Sequence, residues 1–510
     1  MFAKVKSYGV FGMDSFAVEV EADLSSGIPR FDVVGLPDTA VKESRERVRA
    51  SIKNCGLEYP RSRITVNIAP ADIKKEGSVY DLPIFIAILA ATVQIKQNIS
   101  DFAFIGELSL NGEIRGCTGV LPMVLKAREC GTCAVFVPYD NMAEASVVND
   151  IDVLPAKTVF DVMNHINGTK RIEPCYKKIE KQSRAYDALD FEDVKGQNFA
   201  KRALEIAAAG GHNVIMIGPP GTGKSMLSKR LPSILPEMTF EEQLETTKIY
   251  SIAGELPSDK RLITERPFRS PHHTISPQGL AGGGQVPRPG EVSLAHNGVL
   301  FMDEFPEFDR RSKESLRQPL EDGKITIART VGTVSYPSDL MVVAAMNPCP
   351  CGFFGHPTRQ CTCTDAARKR YMDRISGPIL DRIDLHVEVE PVDYEQLSSK
   401  AKEETSAEIR ARVEKARAVQ RKRFAGTGIT CNAKMSPKMT KEYCVLTKKA
   451  SDLLKMSFDR LGLSARAYDK ILRISRTIAD LESSENIELN HVAEAIQYRS
   501  LDRKYWRNEE

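Results

Sequence analysis

The sequence predicts a multidomain α/β protein in three parts: an α+β domain, a core built on a parallel sheet, and a helical carboxy-terminal region. Three observations carry that prediction. Residues 1–165 alternate strand-like runs with helical ones. The apolar run NVIMI leads directly into Gly218-Pro219-Pro220-Gly221-Thr222-Gly223-Lys224-Ser225 and then a helix-compatible stretch, MLSKRLPSIL. From about residue 394 the apolar positions follow helical spacing among many charges.

A chain of 510 residues is too long for one core. Hydrophobic content of 42% with 27% charge is ordinary for a globular protein. No apolar run reaches bilayer length, and the start MFAKVKSYGVFGMDSF shows no signal-peptide core, which predicts a cytosolic protein with no membrane partner. In that reducing compartment the eleven cysteines are expected as thiols, and a close cluster of them favours metal over disulfides. The net charge of +3 is nearly balanced, so any nucleic-acid contact must come from local patches.

Along the chain, FAVEVEA, RFDVVGL, RITVNIAP and CAVFVP read as strands of the first domain, residues 1–165, and TAVKESRERVRASIKNC and DLPIFIAILAATV as its helices. Residues 166–189 are polar and lack periodic apolar positions, so they read as a linker. The α/β core is expected over 190–393 and the helical region over 394–510, which contains EETSAEIRARVEKARAVQRKRF and AYDKILRISRTIADLE. No repeat of fixed period is evident.

The glycine-rich turn is a phosphate-binding loop in its required context. Its glycines let successive N–H groups face one anion, and the following helix adds its positive dipole. Lys224 can reach the β- and γ-phosphates of a nucleoside triphosphate, and the Ser225 hydroxyl can ligate Mg²⁺. The run Val299-Leu300-Phe301-Met302 ends in Asp303 and Glu304, with the form of a Walker B strand. Asp303 would support Mg²⁺, and Glu304 would act as general base toward the attacking water. A third buried run, DLMVVAAMNP, ends at Asn347, which suits a sensor of the γ-phosphate; it also suits a turn before Pro348. Phosphoryl transfer calls for cations against the transition state. Arg382, in GPILDRID, and Arg466, in Ser464-Ala465-Arg466, are candidates, though a lone arginine is commonly a solvated surface residue.

Cys349, Cys351, Cys361 and Cys363 form a C-x-C…C-x-C cluster in CPCGFFGHPTRQCTC. Four thiolates so close suit tetrahedral Zn²⁺ in a closed, structural site; free thiols or a redox pair are the alternatives. His356 is an alternate ligand or a simple loop histidine. Cysteines 55, 117, 130, 133, 175, 431 and 444 read as core or incidental thiols.

The order PFRSPHHTISPQGLAGGG, PGEVSLAHNGVLFMDEF, LRQPLEDGKITIAR, AAMNPCPCG and GPILDRIDLHVEV resembles the magnesium-chelatase branch of the AAA+ ATPases. With FDVVGLPDTAVKESRERVRAS, NIAPADIKKEGSVYDLPIFIAIL and FIGELSLNGEIRGCTGVLP in the first part, the chain resembles more closely the YifB/ComM family. That family joins the ATPase to an amino-terminal Lon-protease-like domain of the ribosomal S5 domain 2 type. The resemblance implies an AAA+ core with a helical lid, working as an ATP- and Mg²⁺-dependent homo-hexameric motor on single-stranded or branched DNA. It further implies a branch-migration helicase serving recombination of imported DNA (natural transformation), with other recombination proteins as partners. By the same resemblance Asn347 is sensor one, Arg382 a finger acting in trans, and Arg466 sensor two.

Residues 266–291 resemble the branch's insertion in helix two, and Gly323–Gly332 reads as a β-hairpin before sensor one. Related ring motors project such loops into the pore, which makes Lys324 and Arg329 candidates for DNA phosphate contacts. An ordinary exposed hairpin with solvated charges fits the same pattern. The Lon dyad needs a serine before a helix and a lysine base. Here Lys75-Glu76-Gly77-Ser78-Val79 places Ser78 one position early, and Leu121-Pro122 stands where the lysine is expected. A scaffold domain without peptidase activity is therefore expected. Two further classes remain open: a magnesium-chelatase-type motor that remodels a protein partner, and an ATP-dependent protease.

Overall fold

The computed structural model describes residues 1–175, 189–284, 287–329, 332–398, 402–461, 463–499 and 501–506. In the first part, strands β1 (Phe2–Phe11), β2 (Asp14–Ser25), β3 (Arg30–Val34), β4 (Arg63–Ala69), β5 (Phe102–Phe104), β6 (Glu107–Leu108), β7 (Ile114–Arg115), β8 (Ala134–Pro138) and β9 (Asp152–Ala156) are laid down in order. Seven of them form one mixed sheet, β3-β4-β2-β1-β5-β8-β9, while β6 and β7 pair separately. The period of β2 explains its seat: Val18, Val20 and Ala22 are buried, with Glu19 and Glu21 on the other face. Helix Thr39–Asn54 is opened by Asp38, whose carboxylate accepts from the Val41 N–H. Helix Asp81–Ala91 is apolar almost all round and buried with it, as such a helix must be. It stops before Val93, which takes a left-handed φ of 61°.

The described residues at the start of the expected linker are bonded to the first domain. Thr169 Oγ1 donates to Asn164 O (3.1 Å), the Ile172 N–H to His165 Nδ1 (2.9 Å), and the Cys175 N–H to Val153 O (2.9 Å). These polar residues stay on the first domain because their backbone donors find acceptors there. Residues 176–188 of the expected linker lie outside the described residues.

The second part carries β10 (Val214–Ile217), β11 (Phe268–Arg269), β12 (Val299–Met302), β13 (Lys324–Arg329), β14 (Gly332–Pro337), β15 (Met341–Met346) and β16 (Leu385–Glu388). Five make a parallel sheet in the order β11-β12-β15-β10-β16. Strands β10, β12 and β15 are buried at every residue, because a parallel sheet is covered on both faces. Their adjacency brings three loops together at the carboxyl edge, where ligands bind in such sheets.

β13 and β14 form the expected hairpin, with the second strand running on to Pro337; Thr330 and Val331 lie outside the described residues. Its apolar face (Ile325, Ile327, Val334, Tyr336) is completed by Phe11 and Met13 of the first part and Ala281 of the insertion. A second junction joins the parts: Ser251 Oγ donates to Glu144 Oε2 (2.5 Å), and the Gly119 N–H to Ser251 O (2.9 Å).

The carboxy-terminal helices include Ser406–Arg423, Lys448–Leu461, Ala465–Leu481 and Leu489–Gln497. They share one core with helix Asn198–Gly210. Gln420 Nε2 caps Ala209 O at 3.0 Å, and Arg417 donates to Ala208 O. No described helix is long and apolar enough to cross a membrane.

Candidate nucleotide site

The loop after β10 is shaped by its glycines. A Cβ on Gly218 would come 2.2 Å from Val389 O, and Gly221 and Gly223 take φ of 79° and 86°, where side chains are strained. Lys224 then opens helix Lys224–Ile234. Its Nζ donates to Gly218 O and Pro219 O (both 2.8 Å) and reaches Asn347 Oδ1 at 3.3 Å. Burial pushes the Lys224 ammonium down to about 8, against the opposing pull of Asp303. Thr222 Oγ1 donates to Pro219 O (2.9 Å), and Ser225 Oγ donates to Asp303 Oδ2 (2.7 Å). Residues far apart in the chain, Lys224, Ser225, Asp303 and Asn347, thus meet because β12 and β15 lie beside β10.

These groups fit a nucleoside triphosphate with Mg²⁺. The loop turns through two left-handed glycines, Lys224 is a largely buried cation against its carbonyls, and Ser225 with Asp303 supplies hard oxygen donors. Beside the loop lies a cavity of about 510 Å³ lined by Gly196, Gln197, Glu390, Asp393 and Gln497. Gln197 Nε2 spans its rim, donating to Glu390 O (2.6 Å) and Thr222 O (3.4 Å). The sequence reading did not single out Gln197; its left-handed φ of 58° is the feature that marks it.

Glu304 follows Asp303 with φ 51° and ψ 44°, a left-handed non-glycine residue. Its side chain is 59% exposed, and Oε2 lies 3.2 Å from His273 Nδ1. That histidine was also missed, since PHHT in a Gly/Pro-rich insertion has no periodic signal.

The two arginines are brought to one another and stand apart from the phosphate loop. The Arg382 guanidinium bonds Glu321 and Pro378 O, and its Nε is buried without a hydrogen-bond partner among the described residues. Arg466 Nη1 lies 3.2 Å from Oδ2 of the neighbouring Asp381. Both line a cavity of about 610 Å³ with Lys470 and Arg473, and none of residues 218–225 lines it. Asp384 pins this corner to the helical region: Lys470 Nζ is 3.0 Å away, the Asn213 N–H donates at 3.1 Å, and His212 Nδ1 is at 3.4 Å. Burial opposes ionisation of Asp384, yet Lys470 and His212 hold it well below the carboxylate range.

The four cysteine sulfurs lie within 4.8 Å of one another. Cys349 Sγ is 3.4 Å from Cys351 and 3.7 Å from Cys361, and Cys351 is 3.6 Å from Cys361. Thiolates about 2.3 Å from a tetrahedral Zn²⁺ sit about 3.8 Å apart, so the donor set fits that ion. Burial pushes the Cys349 thiol up; at Cys351 burial acts the same way but backbone N–H groups of Phe353 and Thr362 bring it down. His356 lies outside the group of four sulfurs, and its Nδ1 accepts from the Thr358 and Arg359 N–H groups, both at 3.1 Å. The cluster abuts the phosphate loop, since a Cβ on Gly352 would meet Pro220 Cδ at 2.7 Å.

Lys324 and Arg329 are both exposed on the hairpin. Arg329 Nε donates to Gly284 O of the insertion at 3.3 Å. In the first domain Ser78 Oγ donates to Glu107, Lys75 Nζ donates to Ile73 O (2.7 Å), and Pro122 sits within helix Val120–Glu129. Asp81, fully buried at the helix start, is held instead by Arg47 at 2.6 and 3.1 Å.

Comparison with known families agrees with this geometry. The profile described as magnesium chelatase, subunit ChlI, matches residues 190–397, that for subunit ChlI of Mg-chelatase residues 20–141, and the ChlI carboxy-terminal profile residues 403–499. The chain is 44% identical to competence protein ComM of Haemophilus influenzae over 98% of both chains. It is 42% identical to the uncharacterized protein YifB of Escherichia coli, covering 98% of this chain and 97% of that one. Lon protease 2 of Bacillus subtilis is 30% identical over 33% of this chain and 31% of its own length. The chain therefore belongs to the YifB/ComM family of magnesium-chelatase-like AAA+ ATPases.

Proposed function

We propose that this chain is a cytoplasmic ring motor, a homo-hexamer that couples ATP hydrolysis to movement on single-stranded or branched DNA, and that it serves branch migration during recombination of imported DNA. The observation that carries this reading is the separation of the two arginines from the phosphate loop. Each chain holds half of a catalytic pocket at Lys224 and the other half at Arg382 and Arg466. A neighbour completes it, as arginine fingers do. Lys224 and the loop N–H groups bind the phosphates, and Ser225 and Asp303 hold Mg²⁺. When bound, Mg²⁺ neutralises charge between the β- and γ-phosphates. Asn347, within reach of Lys224, positions the hydrolytic water, and Glu304 takes its proton. Arg382 and Arg466 face the adjoining subunit's nucleotide.

DNA is supported by the exposed hairpin with Lys324 and Arg329, by its packing on the insertion, and by the full-length likeness to a protein named for competence. The cysteine cluster is a closed structural zinc site, and the Lon-like domain is a scaffold without peptidase activity. The test is ATP turnover of the full chain with single-stranded, double-stranded and forked DNA, alongside electron microscopy with ATP and forked DNA. Stimulation by DNA and density in the pore of a six-membered ring are expected. Turnover indifferent to every DNA would favour a chelatase-type motor acting on a protein, and casein degradation lost in Ser78→Ala would favour a protease.

A further inference from the structure

We infer that the helical region carries a second nucleic-acid surface, a basic face that grips the phosphate backbone of a duplex DNA arm. Residues 415–449 hold ten lysines and arginines against one acid, Glu442, in a chain whose net charge is only +3. Three of the ten are spent inside the fold. Arg417 donates to Ala208 O and Thr430 O, Arg423 clamps Asp480 at 2.6 and 2.8 Å, and Lys434 pairs with Asp339. Arg421, Lys422, Lys438, Lys441, Lys448 and Lys449 are exposed, and none forms an ion pair among the described residues. Packing gathers them. Phe424, closing helix Ser406–Arg423, meets the edge of Tyr443 at 5.9 Å, which lays helix Pro437–Tyr443 against the end that carries Arg421 and Lys422. Lys448 and Lys449 open the next helix, Lys448–Leu461, with no acid in its first turn. Cations there oppose the helix dipole, so the fold itself gains nothing from them.

The anion they suit is not the nucleotide. Arg421 and Lys434 line a small cavity of about 100 Å³ with Gly211, Gly298 and Met341, at the amino edge of the parallel sheet. The phosphate loop leaves the opposite, carboxyl edge. Asp339, the partner of Lys434, lies between hairpin strand β14 and β15. The basic face therefore continues from the base of the hairpin onto the helical region. Its chemistry selects backbone over bases. The two amide side chains of residues 415–449, Gln420 and Asn432, are buried, so neither can read a base edge. The two aromatics, Phe424 and Tyr443, are turned onto each other rather than offered as a stacking platform for a single strand. What remains is a lysine- and arginine-rich surface, the complement of duplex phosphates. That occupant rests on the DNA reading above.

The test uses the full-length protein with Lys438→Ala, Lys441→Ala, Lys448→Ala and Lys449→Ala combined, beside the same four lysines changed to Arg. Affinity for a labelled duplex, a forked DNA and a single strand is measured by anisotropy across a salt series, together with DNA-free ATP turnover. With the alanines, duplex and fork affinity should fall about tenfold or more at about 0.1 M salt. The slope of log K against log salt should flatten by about two or more, since each phosphate contact contributes about 0.9. Single-strand affinity and DNA-free turnover should stay within about twofold, and the arginine set should match the wild type. Wild-type duplex affinity and slope in the alanine set overturn the inference, as does an equal loss on the single strand. Polyglutamate bound as tightly as the duplex overturns DNA as the occupant. If the wild type binds the single strand but no duplex, the basic face is refuted while the DNA reading survives; if it binds no DNA, both fall. If Lys324→Glu leaves binding unchanged while the alanine set loses the duplex, the basic face stands and the hairpin contact falls. Should the four-alanine protein fail to fold, Lys438→Ala with Lys441→Ala decides by the same criteria.

Discussion

Mixing two inactive variants should restore hydrolysis that neither shows alone. Lys224→Ala removes the cation that lies 2.8 Å from two loop carbonyls, and with it nucleotide binding. Arg382→Ala with Arg466→Ala leaves that loop intact and strips the separate cavity of two of its cations. An arginine finger contributes about 10³-fold or more to turnover, so each parent should run at about a thousandth of wild type or below. In rings assembled at random from equal amounts, a pocket works when its phosphate side comes from the arginine variant and its arginine side from the lysine variant. Each condition is met half the time, so about one quarter of pockets are whole and about a quarter of wild-type turnover should return. The assay is phosphate release from co-expressed, doubly tagged complexes. Turnover that stays at the parental level would refute the shared pocket, as would a double arginine variant with wild-type kcat.

Four further outcomes follow from the same geometry. Glu304→Gln should bind ATP as the wild type does but lose about 10²-fold or more in kcat, read by single-turnover hydrolysis beside nucleotide binding. The purified chain should release about one Zn²⁺ per subunit to a thiol-reactive reagent, and Cys349→Ser should lower that yield together with nucleotide affinity, because the loop abuts Pro220. Lys324→Glu should weaken DNA binding and reduce the slope of log K against log salt by about one, measured by anisotropy titrations. Asp384→Asn should cost about 3 kcal/mol in urea unfolding at pH 7, since Lys470 then stays buried without its partner. The folded Asp384 titrates below its unfolded value, so its contribution is full above about pH 4 and fades on further acidification. The gap between wild type and Asp384→Asn should be constant from pH 6 to 8 and shrink only below that range.

The candidate nucleotide site was legible because buried parallel strands appear as unbroken apolar runs: VIMI, VLFM and MVVAAM are followed at once by Gly218, Asp303 and Asn347. Loop glycines are equally plain, since no other residue tolerates the contact at Gly218. Sequence spacing could not show that Arg466 meets Asp381, for that pairing depends on how the helical region seats on Asn198–Gly210. Nor could it show His273 against Glu304, a contact made by strand adjacency rather than period. Polar composition cannot separate free chain from chain whose N–H groups bond a neighbouring strand, as at Cys175.

The hairpin finishes its apolar face with Phe11 and Met13, which come from the opposite end of the polypeptide. A fragment trimmed to begin at residue 189 would therefore leave Ile325 and Val334 wet and would lose the acid that grips Ser251. Such a truncation is expected to self-associate rather than behave as a minimal enzyme. The hairpin and the sheet that carries the phosphate loop are thus backed by the amino-terminal third, which serves as a structural wall for both.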